Sequence, residues 1–300
     1  MPHVVFLIIA FIWSASFLLM KFGIQSYGPV GIAGFRCLTG GIVLGVILII
    51  RDRRLPKIQD WPGLGFLVFF AYLWPYSVQP VMVEHLNSGF VGMMVSLVPL
   101  LTILVSVPML RIRPTLRQFI GVLIGLVCMG VLMADKIDGN VTLATLLLAA
   151  TVPLTYAIGN TWNKRRFPKT DPLVLACVAM LGGAVFLIPL ALATEEIHLN
   201  DGFAKATGAI LLLGALGTGA AMGLFYWLIQ NRGPLFAGMV TYLIPIGAVI
   251  LGWLDREEVS WIQIAALAGI LITVAITQYG PVQSRETSAS VDPGTQNGTS

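Results

Sequence analysis

Two basic side chains lie inside long apolar segments, where an ionisable group needs a purpose. A charge in the bilayer interior costs about 3 kcal/mol by insertion scales. Lys21 lies near the end of the first apolar segment, and Arg36 lies about two turns into the second, between Phe35 and Cys37. Long basic side chains can extend to the membrane interface, or they can face a cavity. Facing a cavity, each would provide a positive charge suited to a substrate carboxylate.

Glu84 and His85 form a second ionisable group, at the end of the third apolar segment. Two interpretations stay open for them. They could belong to a water-exposed loop, or they could bind a coupling proton, because histidine titrates near physiological pH. The apolar segments contain no acid at mid-membrane depth, which argues against a proton relay.

Several aromatic and amide side chains lie deep enough in the apolar segments to line a polar cavity. A buried tyrosine needs a hydrogen-bond partner, and such a cavity would supply one to Tyr156 and Tyr242. Trp13 lies at moderate depth. Further candidate substrate contacts are Gln79, Asn160 and Thr241. Gln79 and Asn160 are equally suited to bonding a neighbouring helix.

The sequence contains no motif for catalysis. It has no GxSxG, HExxH or Walker loop, and no paired-carboxylate constellation. We therefore expect neither an enzyme nor a nucleotide-driven pump, and we predict no cofactor and no metal site. Nucleic-acid binding is not expected either, because no basic patch with interleaved aromatic residues lies outside the apolar segments.

Membrane-spanning helices must position these residues. Of the 300 residues, 57% are hydrophobic and 11% are charged, whereas a soluble domain carries roughly 25% charged residues. Recurring apolar runs of about 20 residues predict an all-α membrane protein with ten transmembrane helices. Their approximate bounds are 4–25, 29–50, 61–83, 87–110, 115–134, 142–163, 172–193, 206–229, 234–254 and 260–279. The polar residues 280–300 predict a disordered tail.

The distribution of charge predicts the orientation. The side reached by the even-numbered segments, with the tail, carries 13 Lys and Arg residues, against three on the other side (Lys136, Lys205 and Arg256). The other side is instead rich in acids. Short loops rich in Lys and Arg stay in the cytoplasm. We therefore expect a multi-pass protein of the cell inner membrane, with both termini cytoplasmic and the lipid bilayer as its surroundings.

The chain repeats internally. Phe90–Pro99 (FVGMMVSLVP) recurs as Phe236–Pro245 (FAGMVTYLIP) at an offset of 146 residues. At an offset of 143, Trp13, Lys21 and Pro29 recur as Tyr156, Lys164 and Pro172. Five helices per repeat is an odd number, so the second repeat must enter the membrane from the opposite side. Residues 4–134 and 142–279 are therefore predicted as two inverted five-helix repeats, the architecture of alternating-access carriers.

Both copies of the ten-residue stretch contain a glycine and end in a proline. Pro99 and Pro245 each remove a backbone hydrogen bond and tend to kink a helix, so we expect both to shape the pathway. Gly121 and Gly125, in the fifth segment, fit close packing inside the bundle. Their spacing is equally suited to the face of a homodimer.

The run from Leu211 to Leu254 (LLLGALGTGAAMGLFYWLIQNRGPLFAGMVTYLIPIGAVILGWL) resembles the second repeat of EamA-type transporters, of the drug/metabolite transporter superfamily. Trp13, Lys21, Pro29 and Arg36 match the first repeat in order, so the resemblance covers about residues 4–279. It implies a ten-helix bundle, a central cavity and a small-molecule substrate. Most characterised transporters of this type export amino acids or other small metabolites, and some import vitamins or cofactor-like molecules. Export and import both stay open.

The resemblance also implies a set of cavity residues. By position, these are Trp13, Tyr76, Met93, Tyr156, Asn160 and Tyr242; with Arg36 they are the predicted substrate-binding residues. The family often carries a Gly-Glu pair before the last helix of each repeat. The second repeat reads Asp255-Arg256-Glu257-Glu258 there, with Glu258 as the candidate match. The first repeat has no glutamate at this point.

Overall fold

A computed structural model of the protein describes residues 1–51, 60–111, 114–135 and 141–278, apart from the side chains of 233–235 and 278. The predicted disordered tail at 280–300 lies outside the described residues, as do the basic residues Arg53, Arg54, Lys57 and Arg113.

Ten apolar helices account for most of the described chain, which contains no strand. They are α1 (Pro2–Gly23), α2 (Pro29–Ile50), α3 (Trp61–Leu86), α4 (Ser88–Leu110), α5 (Leu116–Ala134), α6 (Leu143–Arg166), α7 (Pro172–Thr194), α8 (Phe203–Arg232), α9 (Phe236–Leu254) and α10 (Trp261–Gln278). Nine are long and apolar enough to cross a membrane, and α10 is slightly shorter. The predicted all-helical fold is confirmed. Helical backbone continues from Ala221 to Gly238, across the linker predicted between the eighth and ninth segments.

The helices begin where local sequence favours a start. Pro29 and Pro172 occupy the first positions of α2 and α7, where the missing N–H of proline costs nothing. The Asp60 side chain accepts a hydrogen bond from the Gly63 N–H at the start of α3. Thr142 caps α6 in the same way. These caps satisfy N–H groups that lack partners in the first turn of a helix.

Helix packing follows the repeat. Three helices pack against their own counterparts: α2 on α7, α4 on α9, and α5 on α10. Other contacts form matched pairs, since α1 packs on α8 and α9 as α6 packs on α3 and α4. A two-fold axis that exchanges the first five helices with the last five would produce these pairings. These pairings agree with two inverted five-helix repeats, and the repeat bounds 4–134 and 142–279 stay a prediction.

Both repeats contain a π-helical segment at the same place. It spans Phe69–Leu73 in α3 and Ala215–Ala220 in α8, the offset of 146 residues that relates the two ten-residue stretches. In α8 the Thr218 hydroxyl donates to the carbonyl of Leu213, five residues earlier. Such segments alter the direction of side chains along a helix and are frequent at functional sites.

The two prolines of the repeated stretch act differently. Regular helix stops at Val95 and resumes at Val98, so α4 is interrupted immediately before Pro99. Pro245 instead lies within the continuous helix Val240–Leu254 of α9. The sequence predicts a kink at both prolines. In the described residues, the helix is interrupted beside the proline only in the first copy, just before Pro99.

Gly121 and Gly125 pack inside the bundle. A Cβ added to Gly121 would collide with the Thr277 side chain on α10, and one added to Gly125 with Leu100 on α4. Both glycines therefore permit close helix approach within one chain. A homodimer stays a prediction.

Candidate substrate cavity

A cavity of about 210 Å³ lies between the two repeats. Its wall includes five of the seven residues predicted to bind substrate: Trp13, Arg36, Tyr76, Tyr156 and Asn160. Gln79, the further candidate, is in the wall as well. Five other helices join α1 and α2 around this space, so residues far apart in the chain converge on it.

Arg36 is the charged group of this wall. Its side chain is buried, with 7% of the residue exposed, which excludes an extension to the membrane interface. Nε donates to Thr218 Oγ1 at 2.9 Å and Nη1 donates to Gln79 Oε1 at 3.3 Å. The guanidinium carbon lies 3.9 Å from the centre of the Tyr76 ring, a distance at which the ring face attracts a cation. The four side chains form one unit, which fixes the guanidinium at the cavity.

This cation has neutral partners only. Among the described residues, no carboxylate oxygen lies within 4.0 Å of Arg36. A buried charge is strongly destabilising without a counter-charge. The cavity wall supplies neutral oxygens and aromatic faces, which stabilise the cation only in part. An anionic ligand would complete its surroundings.

Aromatic rings form much of the remaining wall. The Tyr76 and Tyr156 rings lie 6.5 Å apart at an interplanar angle of 67°, and the Trp13 ring lies 5.2 Å from that of Phe225. These rings give the cavity an amphipathic lining, with one strong positive charge beside apolar surface. Such a wall suits a small molecule that combines a carboxylate with an apolar part.

Met93, Tyr242 and Thr241 do not line this cavity. Met93 is 0% exposed within the largest apolar cluster, and Tyr242 is half-buried against the same cluster. The Thr241 hydroxyl donates to the Gly238 carbonyl of its own helix. Val95, Val98 and Ile244 occupy the cavity faces of α4 and α9 instead. The part of Met93 and Tyr242 in substrate binding stays a prediction.

A second cavity, of about 170 Å³, adjoins the first. The two cavities share Asn160 and Met222 in their walls. The second is lined by α3, α6, α7 and α8 and reaches Asn163 and Ile229, near the ends of α6 and α8 that carry the basic residues. The shared residues make the two spaces neighbouring parts of one interior.

An ion-pair network joins three helices at the opposite, acidic end. Lys21 Nζ lies 2.6 Å from Asp255 Oδ2 and 2.9 Å from Glu257 Oε1. Glu257 also accepts hydrogen bonds from the N–H and hydroxyl of Ser88 and from the N–H of Gly89. Lys21 is not in the wall of the cavity of about 210 Å³; its ammonium group instead reaches the turn after α9, with 35% of the side chain exposed. We call these five residues the outer network.

Glu257 is the centre of the outer network. Burial alone would raise the pKa of this carboxyl, but hydrogen bonds from Gly89, Lys21 and Ser88 together lower it. The two N–H donors belong to the first turn of α4, where the helix dipole also favours a negative charge. Glu257 is therefore ionised at neutral pH and bridges α1, α4 and the end of α9.

The turn before α10 bears on the Gly-Glu pair that the resemblance implies. Arg256 has φ of 64°, in the left-handed region that glycine adopts most readily. The glutamate after it is Glu257, whereas Glu258 is exposed. Arg256-Glu257 therefore combines a glycine-like backbone with a buried glutamate, and the match of Glu258 to the family's glutamate stays a prediction. Arg111 has φ of 53° at the corresponding end of α4, so the first repeat keeps the backbone turn.

Glu84 and His85 are exposed in the last turn of α3. This agrees with the interpretation as a water-exposed pair, although they end a helix rather than lie in a loop. In the described structure, neither side chain forms a hydrogen bond or an ion pair.

Thr218 and Ser16 belong to the cavity wall and were missed in the sequence. Thr218 lies in a small-residue run, ALGTGA, where a helical wheel with a regular period places side chains wrongly because the segment is π-helical. The glycines around it were the available signal. Ser16 donates to the Ile12 carbonyl of its own helix, which makes it resemble an ordinary membrane-helix serine.

Comparison with known proteins places the chain in a family. A model of the EamA-like transporter family matches residues 1–134 and again residues 143–279. The chain belongs to the EamA-like transporter family. This agrees with the drug/metabolite transporter superfamily, and the double match covers nearly all ten helices.

The two relatives compared by name are transporters. The chain is 28% identical to an uncharacterized inner membrane transporter, YedA of Escherichia coli (strain K12), over 90% of this chain and 88% of the relative. It is 25% identical to a probable terminal-alkyne amino-acid exporter of Streptantibioticus cattleyicolor, covering 82% of each. A solved crystal structure superposes with a TM-score of 0.65 over 92% of this chain and 95% of the other, at 19% identity. That last likeness concerns the fold alone.

Proposed function

We propose that this EamA-family transporter is a secondary carrier that exports a small carboxylate metabolite, an amino acid or a compound derived from one. The observation that carries the proposal is Arg36, a buried cation at the cavity wall without a carboxylate partner in the described chain. A carboxylate in the cavity would receive charge-assisted hydrogen bonds from the guanidinium, which are stronger than neutral ones.

The aromatic wall supports an amphipathic cargo. Trp13, Tyr76 and Tyr156 offer apolar ring faces beside the cation, and a ring face also attracts an ammonium group. One relative is named as a probable amino-acid exporter, which agrees with such a cargo.

The two ends of the helix bundle differ in a way that supports alternating access. The outer network holds α1, α4 and α9 together at the acidic end, whereas the second cavity extends the interior toward the basic end. If the basic end is cytoplasmic, as the charge distribution predicts, this conformation receives cargo from the cytoplasm. We accordingly propose an inner-membrane location with both termini cytoplasmic.

Proteoliposomes loaded with labelled amino acids and related carboxylates test the proposal. The wild-type protein should release at least one of them along its gradient. Arg36→Ala should reduce release by about 10- to 100-fold, because hydrogen bonds to a charged group contribute about 1.5–3 kcal/mol. Lys205→Ala is the matched control, since Lys205 lies 3.8 Å above the Phe22 ring outside the cavity wall.

The assay also has clear contrary outcomes. Full release by Arg36→Ala, at an unchanged protein level, would remove the carboxylate anchor. Uptake without release, together with rescue of an auxotroph, would instead establish an importer of a vitamin or cofactor-like molecule.

A further inference from the structure

The two cavities are related by the internal repeat. At the offsets of 143 and 146 residues, most of the first cavity's wall residues on α1, α3 and α8 correspond to wall residues of the second, on α6, α8 and α3. The pairs that differ most in polarity are Phe17 with Asn160, Met20 with Asn163, and Gln79 with Phe225. Two equivalent sets of helix positions therefore enclose two chambers, and the side chains that line the chambers differ in chemistry. We call them the Arg36 chamber and the Asn163 chamber.

The positive charge is confined to one chamber. The position that corresponds to Arg36 is Ala179, which is buried. The wall of the Asn163 chamber contains amides, tyrosines and apolar side chains, and its residues include no Lys, Arg, Asp or Glu. A carboxylate therefore has a partner in the Arg36 chamber, and the Asn163 chamber suits an uncharged polar group.

Asn160 and Asn163 supply the polar groups of the second chamber. They are three residues apart on α6, so both amides lie on one helix face. Asn160 is exposed and Asn163 is half-buried, and neither side chain bonds another group of the described chain. Both amides are therefore available to form hydrogen bonds with a ligand or with water in the cavity.

The wall that contains Arg36 extends to Asn160. The Arg36 guanidinium carbon is 3.9 Å from the Tyr76 ring centre, and that ring is 6.5 Å from the Tyr156 ring. Asn160 follows Tyr156 by one helical turn, a rise of about 6 Å. Asn160 itself lines both chambers.

We infer that the Asn163 chamber is a substrate subsite that binds the uncharged polar end of the cargo while Arg36 binds its carboxylate. The inference rests on the proposed function and narrows the cargo class. The cargo is a carboxylate with a hydroxyl, an amide or a similar hydrogen-bonding group at its far end. A carboxylate with a purely apolar tail fills the same space without satisfying the two amides.

A pair of probes tests the subsite on the purified full-length protein in nanodiscs. Hexanoate carries a carboxylate alone, and adipamic acid carries the same chain with a terminal amide. Equilibrium binding of both to the wild-type protein should give about tenfold higher affinity for adipamic acid. Asn163→Leu, which keeps the side-chain size, should bring the ratio of the two affinities below threefold.

Asn231→Leu is the matched control. Asn231 is exposed, and its amide donates to the Trp227 carbonyl of its own helix, so this variant should keep the tenfold ratio. Asn160→Leu provides a second loss-of-ratio variant if Asn163→Leu does not fold.

The outcomes separate the two proposals. Equal affinities of the wild-type protein for the two probes, or a tenfold ratio that persists in both asparagine variants, would overturn the subsite and leave the Arg36 anchor intact. Binding of neither probe would overturn the carboxylate anchor, and with it the basis of the subsite.

Discussion

The two copies of the ten-residue stretch have different surroundings. In Phe90–Pro99, Phe90 and Met93 are both 0% exposed, and a Cβ at Gly92 would collide with the Ala248 side chain. In Phe236–Pro245, Phe236 and Met239 are half-buried, and a Cβ at Gly238 would meet no atom of the described chain within 4 Å. Equivalent residues therefore pack tightly at the acidic end and loosely at the basic end.

The difference comes from the contacts around each copy rather than from its own residues. At the acidic end, Glu257 ties the start of α4 to α1 and α9. At the basic end, Lys164 takes the place of Lys21, and Arg111 lies where the acidic turn would be. The positions equivalent to Asp255 and Glu257 are Met109 and Arg111, so the same attraction does not form at them. If the repeats exchange conformations, these charges favour one of the two.

Among the variants that test this difference between the two ends, Glu257→Ala should have the largest effect on stability. Glu257→Ala leaves the N–H groups of Ser88 and Gly89 without their acceptor and Lys21 with Asp255 alone. We expect a loss of about 3 kcal/mol in the free energy of unfolding, measured by thermal unfolding in detergent. Glu258→Ala, next in the chain and exposed, should stay within about 0.5 kcal/mol. Equal losses in both variants would contradict the central position of Glu257.

Replacing Gly92 and Gly238 by alanine should change the free energy of unfolding in opposite directions. Gly92→Ala forces α4 away from Ala248 and should lower the free energy of unfolding by about 1–3 kcal/mol. Gly238→Ala meets open space and should leave it unchanged or raise it by up to about 1 kcal/mol. If the repeats exchange conformations, Gly238→Ala should still slow transport, because Gly238 then takes the packed position of Gly92. Unimpaired transport would show that the basic end does not close by this contact.

Arg256→Gly should give the smallest change, and a favourable one. A left-handed backbone costs about 1–2 kcal/mol for a residue with a Cβ, and glycine is free of that cost. The variant should raise the free energy of unfolding by about 1 kcal/mol through the turn that presents Glu257. Arg111→Gly, at the matching turn of the first repeat, is the comparison variant and should gain a similar amount. A loss of stability at Arg256 would show that its side chain has a role beyond the turn.

Hydropathy and the internal repeat were enough to predict the helices, because burial in a bilayer requires long apolar runs. Burial cost was also enough to single out Arg36, since a cation so deep in an apolar segment needs a polar environment. Met93 could not be placed in this way. Its position in the repeat is clear, but the face of α4 that meets the cavity depends on the interruption at 96–97, beyond which Val98 lines the wall.

Long-range partners were beyond sequence reasoning. The bond between Lys21 and Glu257 joins residues 236 positions apart, and nothing in either local sequence indicates the other. Which of the two glutamates, Glu257 or Glu258, is buried depends on the left-handed φ of Arg256. An arginine gives no sign of such a φ in the sequence. Thr218 needed the π-helical segment, whose irregular period a helical wheel does not reproduce.

Three carboxylates at the acidic end bear on how the protein is assembled during synthesis. Glu195 accepts from Val30 and Gly31 at the start of α2, Glu257 accepts at the start of α4, and Asp135 accepts from Ser260 and Gln263 at the start of α10. Each bond joins one repeat to the other. The first half of the chain leaves the ribosome without the acids that complete two of its own helix starts. The acidic end of the first half therefore acquires these helix-start acceptors only when the second half is present.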